Sequence, residues 1–199
     1  DRFWMNFDQD KQPSEIVHPV QEAIQFIRDG AGRIEQVSFL GGPINYGYDP
    51  ATGQKVSAAA PEGRLDYRYD GFLLTSATLT GPVHGRVEYR YDNDFLLAET
   101  RINDAHAVAF EYDNDGLLIR AGDLQIEREP ATGLFAGTVL GDLATSRTYN
   151  PFGEMKRYQA WFGTTLLYQA DFVHDALGRV IEKTEWVDGV ENTYTYEYG

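Results

Sequence analysis

Large apolar and aromatic residues fall at every second position in short runs along this chain: Leu65, Tyr67, Tyr69; Val87, Tyr89, Tyr91; Val108, Phe110, Tyr112; Tyr194, Tyr196. A spacing of two is the period of a half-buried β-strand and not of a helix. Each run ends on a polar turn. The turns read Asp29-Gly30-Ala31-Gly32, Asp113-Asn114-Asp115-Gly116, Asn150-Pro151-Phe152-Gly153 and Asp175-Ala176-Leu177-Gly178. Asp or Asn opens such a turn by bonding the backbone two residues on, and Gly three positions later takes the positive φ that closes a hairpin. An apolar residue follows at five past the opening residue: Ile34, Leu97, Leu118, Leu134, Met155, Val180. The predicted unit is a β-hairpin.

The unit repeats. Its opening residue, the anchor, stands at Asp8, Asp29, Asp49, Asp70, Asp92, Asp113, Glu129, Asn150, Asp175 and Glu197, in steps of 21, 20, 21, 22, 21, 16, 21, 25 and 22 residues. A sustained period of this size marks an array of one small unit, stabilised by its neighbours. A period of this length leaves about seven residues per strand once turns and connectors are removed, close to the usual length. The aromatics one and three before the anchor share a face and are expected to form rows across neighbouring hairpins. The short step from Asp113 to Glu129 predicts a compressed hairpin returning at Gly122-Asp123. The long step to Asp175 predicts a hairpin lengthened near Gly163. Gly41-Gly42-Pro43 and the segment from Ala58 through Pro61 and Glu62 to Gly63 read as connectors. Val20, Ile24 and Ile27 fit a helical face, but the repeat register favours a strand there. The fold class expected is therefore all-β, one array of about nine to ten antiparallel hairpins over residues 1–199, with no separate second domain.

Composition narrows the partners. The formal net charge is -14, from 31 acidic and 17 basic residues, which disfavours nucleic acid and anionic membranes. Hydrophobic residues make up 42% and aromatics 14%, so the chain is expected to fold. Cysteine is absent, which removes disulfides and thiolate metal sites. No apolar run reaches transmembrane length, so no membrane insertion is expected. The chain begins at Asp1 and ends within a repeat signature, as a piece of a longer array would. Raw sheet edges invite pairing, so self-association through edges or faces is expected.

No catalytic chemistry stands out. Asp92 with Asp94, and Asp113 with Asp115, have a spacing seen in Ca²⁺ loops, but the further ligands and closing Glu are missing, so they read as solvated turn carboxylates. A glycosidase needs two carboxylates facing across a cleft, whereas acidic residues here mark every repeat. His18, His84, His106 and His174 lack ligand spacing. His174 fills the usual Tyr position before Asp175 and is read as part of the aromatic row. No nucleophile elbow or phosphate loop appears. The chain is thus expected to be no enzyme and to hold no cofactor or metal. Most Tyr residues are explained by the repeat; Trp161, Phe162 and Trp186 are not, and these three are the candidate ligand-binding residues, with a glycan or receptor as partner.

The motifs YRYD, FEYDNDGLL, DGAGRI and HDALGRV resemble the rearrangement-hotspot, or YD, repeats of bacterial surface and toxin proteins and of animal teneurins, over essentially the whole chain from about Phe7 to Gly199. The resemblance implies a long antiparallel sheet spiralling into a hollow shell. It implies as partners the remainder of that shell and an enclosed C-terminal toxin domain, or, alternatively, a cell-surface adhesion role. It also implies a secreted or cell-surface location. Bacterial members cleave themselves near an Asp-Pro-x-Gly motif. Asp49-Pro50-Ala51-Thr52-Gly53 has its Gly one place later and is matched by Glu129-Pro130-Ala131-Thr132-Gly133, so both read as repeat turns and no cleavage site is carried over.

Overall fold

The computed structural model describes residues 3–18 and 21–199, and contains nineteen strands and no helix among them. These strands are the two arms of nine successive hairpins and one further strand, each hairpin folded about one sequence anchor. The segment containing Ile24 and Ile27 is a strand, as the repeat register requires; Val20 lies outside the described residues.

The residues group into two compact units. The first holds β1 (Trp4–Phe7), β2 (Pro13–His18), β3 (Gln21–Arg28), β4 (Ile34–Ser38), β5 (Ile44–Tyr48), β6 (Lys55–Ala60), β7 (Gly63–Asp70), β8 (Leu73–Thr80) and β9 (Gly85–Tyr91). Each of these pairs antiparallel with the next in sequence. Strand β10 (Leu97–Ile102) is divided between the units. The second holds β11 (His106–Tyr112), β12 (Leu118–Ala121), β13 (Leu124–Arg128), β14 (Phe135–Leu140), β15 (Leu143–Tyr149), β16 (Met155–Phe162), β17 (Thr165–His174), β18 (Val180–Val187) and β19 (Val190–Thr195). The start of β11 belongs to the first unit, and the remainder again forms an antiparallel meander. Both unusual hairpins are as predicted. Ala121 pairs with Leu124 across Gly122-Asp123, and Phe162 pairs with Thr165 across Gly163-Thr164. One connector is shorter than predicted. Ala58–Ala60 belong to β6, and only Pro61-Glu62 turn the chain, because small side chains fit beside Leu65 on the neighbouring strand.

Six anchor turns share one hydrogen-bond pattern. At Asp113, Oδ1 accepts the N–H groups of Asp115 and Leu117, each at 2.9 Å. The Asp113 N–H donates to the Leu117 carbonyl, and Gly116 N–H donates back to the Asp113 carbonyl. The same set recurs at Asp8, Asp29, Asp92, Asn150 and Asp175. One side-chain oxygen thus satisfies two turn donors that the ladder leaves over. The third position past the anchor must take φ near +60 to +80°; Gly fills it at four of the six, whereas Lys11 (60°) and Phe95 (63°) occupy it elsewhere. At Asp49 and Glu129 the turn is one residue longer, and at Asp70 it shrinks to Gly71-Phe72.

The hairpins are joined by the residue just before the anchor. Its side chain crosses to the preceding hairpin and donates to the carbonyl of a residue near the start of that hairpin's second strand. Tyr48 hydroxyl reaches Ile34 O at 2.8 Å, Tyr69 Lys55 O at 2.9 Å, Tyr91 Leu74 O at 3.0 Å, Tyr112 Leu97 O at 3.0 Å and Tyr149 Phe135 O at 2.8 Å. The target moves by one residue wherever the intervening turn is longer or shorter, so the geometry is constant. Two hairpins use Arg instead: Arg28 reaches Pro13 O at 3.3 Å, and Arg128 reaches Leu118 O at 3.0 and 3.1 Å. His174 holds the same position, and its side chain makes no bridging bond among those described.

The last repeat is displaced from its sequence assignment. Tyr198, not Tyr196, makes the bridging bond, to Val180 O at 2.7 Å, so the anchor position is Gly199 rather than Glu197. Both tyrosines project to one face, two residues apart, and the missing Asp left the sequence no means of choosing between them.

Where Arg stands four past the anchor, it ties these two devices together. Arg33 pairs with Asp29 Oδ2 at 2.7–2.8 Å and stacks 4.4 Å from the centroid of the bridging Tyr48. Arg179 does the same with Asp175 at 2.8 Å and with Tyr198 at 4.6 Å. The Arg33 side chain, followed by turn amides, lowers the Asp29 pKa. For Asp175 the Arg179 backbone N–H leads and its guanidinium follows.

Three outcomes follow from this geometry. Tyr91→Phe should cost about 1 kcal/mol by removing a single hydrogen bond, and Tyr91→Ala about 2–3 kcal/mol, because the ring is lost as well; urea denaturation measures both. Phe95→Gly should stabilise by about 0.5–1 kcal/mol, since the relief of a left-handed backbone exceeds the entropy that Gly adds to the unfolded chain. A carboxylate with a lowered folded pKa stabilises above its unfolded value of about 3.9, and that stability is lost as pH falls through the folded value. The melting temperature should therefore drop as pH falls below about 4. The double variant Asp29→Asn, Asp175→Asn, which keeps the turn acceptor as Asn150 does, should show a smaller drop.

Candidate functional site

A β-sheet has two faces, and here they differ in chemistry. In the second unit, strand register places Phe110, Tyr112, Ile126, Tyr149, Tyr158, Tyr168, Phe172 and Tyr194 on one face. Glu111, Arg120, Gln125, Arg157, Gln159, Gln169, Asp171 and Thr184 occupy the other. The first unit divides likewise, with Tyr46, Leu65, Tyr67, Val87 and Leu79 opposite Asn45, Arg64, Asp66, Arg68 and Glu88.

Within each unit no second layer covers either face among the described residues. Among the described residues only Ile126, Gly137, Ala170, Ser57 and Ser76 are buried. Four of these five are small; Ala170, 1% exposed, sits between Tyr158 and Glu185 on adjacent strands. The chain exposes 13,902 Å², against about 9,500 Å² for a compact protein of its mass. Stability is thus lateral, strand to strand, rather than layer to layer.

In the second unit each face carries a charged network built around a carboxylate. On the aromatic face, Glu185 pairs with Lys183 and accepts the hydroxyls of Tyr194 at 2.9 Å and Tyr168 at 3.3 Å. Lys183 lowers the pKa of Glu185, and Glu185 in turn raises those of Lys183 and Tyr194. On the polar face, Arg157 donates to both oxygens of Asp171, at 2.5 and 3.1 Å, and lowers its pKa. Gln169 donates to Asp171 Oδ2 at 2.8 Å and accepts from Gln159 at 2.7 Å. Carboxylates held this way fix cross-strand register. An apolar groove of about 510 Å³, walled by Ile44, Ala58, Ala60, Leu65, Leu79 and Val83, lies on the aromatic face of the first unit.

The three nominated ligand residues do not form one cluster. Trp161 and Phe162 are successive in β16 and point to opposite faces. Trp161 shares the polar face with Trp186, which stands in register with Gln169 and Glu191. Phe162 lies on the aromatic face, 55% exposed, beside Leu143 and Thr165. The carboxylates of Asp92 and Asp113 are engaged by their own turn amides, and no group of three or more metal-ligating side chains occurs among the described residues. The bridging bond from the pre-anchor residue was not read from the sequence. Its signal was present, since Tyr or Arg fills that position before eight of the nine anchors from Asp29 onward, once the last is set at Gly199.

The likeness to known folds follows these features. Of solved structures, the chain resembles the Photorhabdus luminescens Tc holotoxin pore carrying the TccC3-D651A mutation, with a TM-score of 0.65 and 14% identity. It also resembles TcdB2-TccC3-Cdc42, at 0.65 and 14%, and TcdB2-TccC3-TEV, at 0.64 and 13%. In each case 98% of this chain aligns with 13% of the other, so the chain spans about an eighth of the length of those proteins. No curated protein matches by sequence. The profile of the Teneurin YD-shell family, however, matches residues 1–199. With antiparallel hairpins, tyrosine-stitched repeats and that match over its whole length, the chain belongs to the Teneurin YD-shell family and is a structural shell segment.

Proposed function

We propose that this segment is part of a β-shell that encloses a C-terminal domain of a secreted bacterial protein, with the remainder of the shell and that domain as its partners. The observation that supports the reading is the uncovered single layer. A globular domain buries the apolar face of its sheet against a second layer, whereas here an aromatic face runs through hairpin after hairpin with nothing over it among the described residues. A wall has that property: its faces bound a space, and it is held together within its own plane. The role is mechanical, since the polar side chains are spent on turns and register rather than on a reacting group.

The similarity to Tc toxin structures supports a toxin container over other shells, and with it an extracellular destination. A second reading, a surface adhesion module, is favoured by one observation: Trp186 stands exposed on the polar face, where lateral packing gives it no apolar partner in register.

Limited proteolysis of the full-length parent, followed by mass spectrometry, separates the two. In a container, a segment C-terminal to the repeats stays protected until the wall is denatured. Early release of everything beyond the repeats would overturn enclosure and leave adhesion as the role.

A further inference from the structure

Trp186 is a large aromatic side chain set among Gln169, Asp171, Thr184 and Glu191 on the polar face. Its cross-strand neighbours are Gln169 and Glu191, and it is 42% exposed. A groove of about 330 Å³ runs beside it, lined by Leu166, Gln169, Asp171, Thr184, Trp186 and Glu191. An indole in such surroundings gains little from burial where it stands, and offers a flat apolar plate ringed by hydrogen-bonding groups.

The groups around the plate are held in advance. Arg157 and Gln169 fix the Asp171 carboxylate with three hydrogen bonds, which leave one of its four lone-pair sites open. Gln159 fixes the Gln169 carbonyl, and the Gln169 amide keeps one N–H beyond its bond to Asp171. One acceptor and one donor therefore stand at fixed positions beside the ring, and neither has to be ordered when a ligand arrives.

We infer that this groove is a saccharide subsite for a neutral, β-linked oligosaccharide. A pyranose with equatorial hydroxyls has a flat C–H face that stacks on the indole, while its rim hydroxyls meet Asp171 and Gln169. The carboxylates of Asp171 and Glu191, on a chain of net charge -14, disfavour an anionic sugar. Trp161 lies on the same face, paired with the groove residue Leu166, and gives a longer chain a second aromatic position. Phe162, on the opposite face, takes no part.

Saturation-transfer NMR on the chain tests this with three defined tetrasaccharides at millimolar concentration: cellotetraose, chitotetraose and the β-linked but carboxylate-bearing hyaluronan tetrasaccharide. Transfer to ring C–H protons of a neutral sugar is expected, about tenfold weaker binding for hyaluronan, and loss of transfer in Trp186→Leu, an exposed position whose change leaves the fold intact. In Glu191→Gln the discrimination against hyaluronan should narrow. Absence of transfer with both neutral sugars, transfer undiminished in Trp186→Leu, or an unchanged ratio in Glu191→Gln would each overturn the assignment.

Discussion

The hydrogen bond from the pre-anchor Tyr or Arg to the hairpin before it is the constraint on which the rest of the fold depends. A single hairpin is marginal in water, and a meander with no covering layer has only its ladders and lateral side-chain contacts to hold it. The bridge adds to eight of the nine junctions a bond whose acceptor is a main-chain carbonyl, and it sets the register between hairpins as well as their contact. A one-residue slip would exchange the aromatic and polar faces throughout the following strands. The bridge opposes that slip at every junction but the one at His174, and at two of them Arg takes the place of Tyr, because a guanidinium also reaches and donates.

The anchor turn and the bridge are two halves of one joint. In Asp29 with Arg33 and Tyr48, a carboxylate ties the turn, a guanidinium ties the carboxylate, and the guanidinium lies against the ring of the next repeat. The Gly32-Arg33 pair and the Tyr48-Asp49 pair thus meet at one place, with Asp29. Turn length varies around this joint without disturbing it. The longer Pro-Ala-Thr-Gly turns and the shorter Gly71-Phe72 turn move the target carbonyl by one residue, and bulges beside the turns absorb the difference.

Much of this was legible because the repeat signals are local. Alternation, Asp or Asn at the turn and Gly three residues on specify hairpins without tertiary information, down to the returns at Gly122-Asp123 and Gly163-Thr164. What was not legible depends on neighbours. Ala58–Ala60 have weak strand propensity and read as a connector, but they pair because Leu65 needs small residues beside it. Tyr198 displaces Tyr196 because only the register of β19 on β18 decides which hydroxyl reaches Val180. The division of the nominated aromatics between two faces likewise appears only when adjacent strands fix which way β16 is turned.

The bridging bond accepts on the backbone, and every residue type supplies a backbone carbonyl. Any repeat can therefore abut any other without matched side chains at the seam. Each repeat also contributes two strands, an even number, so adding or removing one whole unit preserves strand direction and the identity of both faces. A gene encoding such an array can change its copy number, or exchange units between relatives, while each unit keeps its own joint; the extent of the sheet then becomes a quantity that recombination can tune.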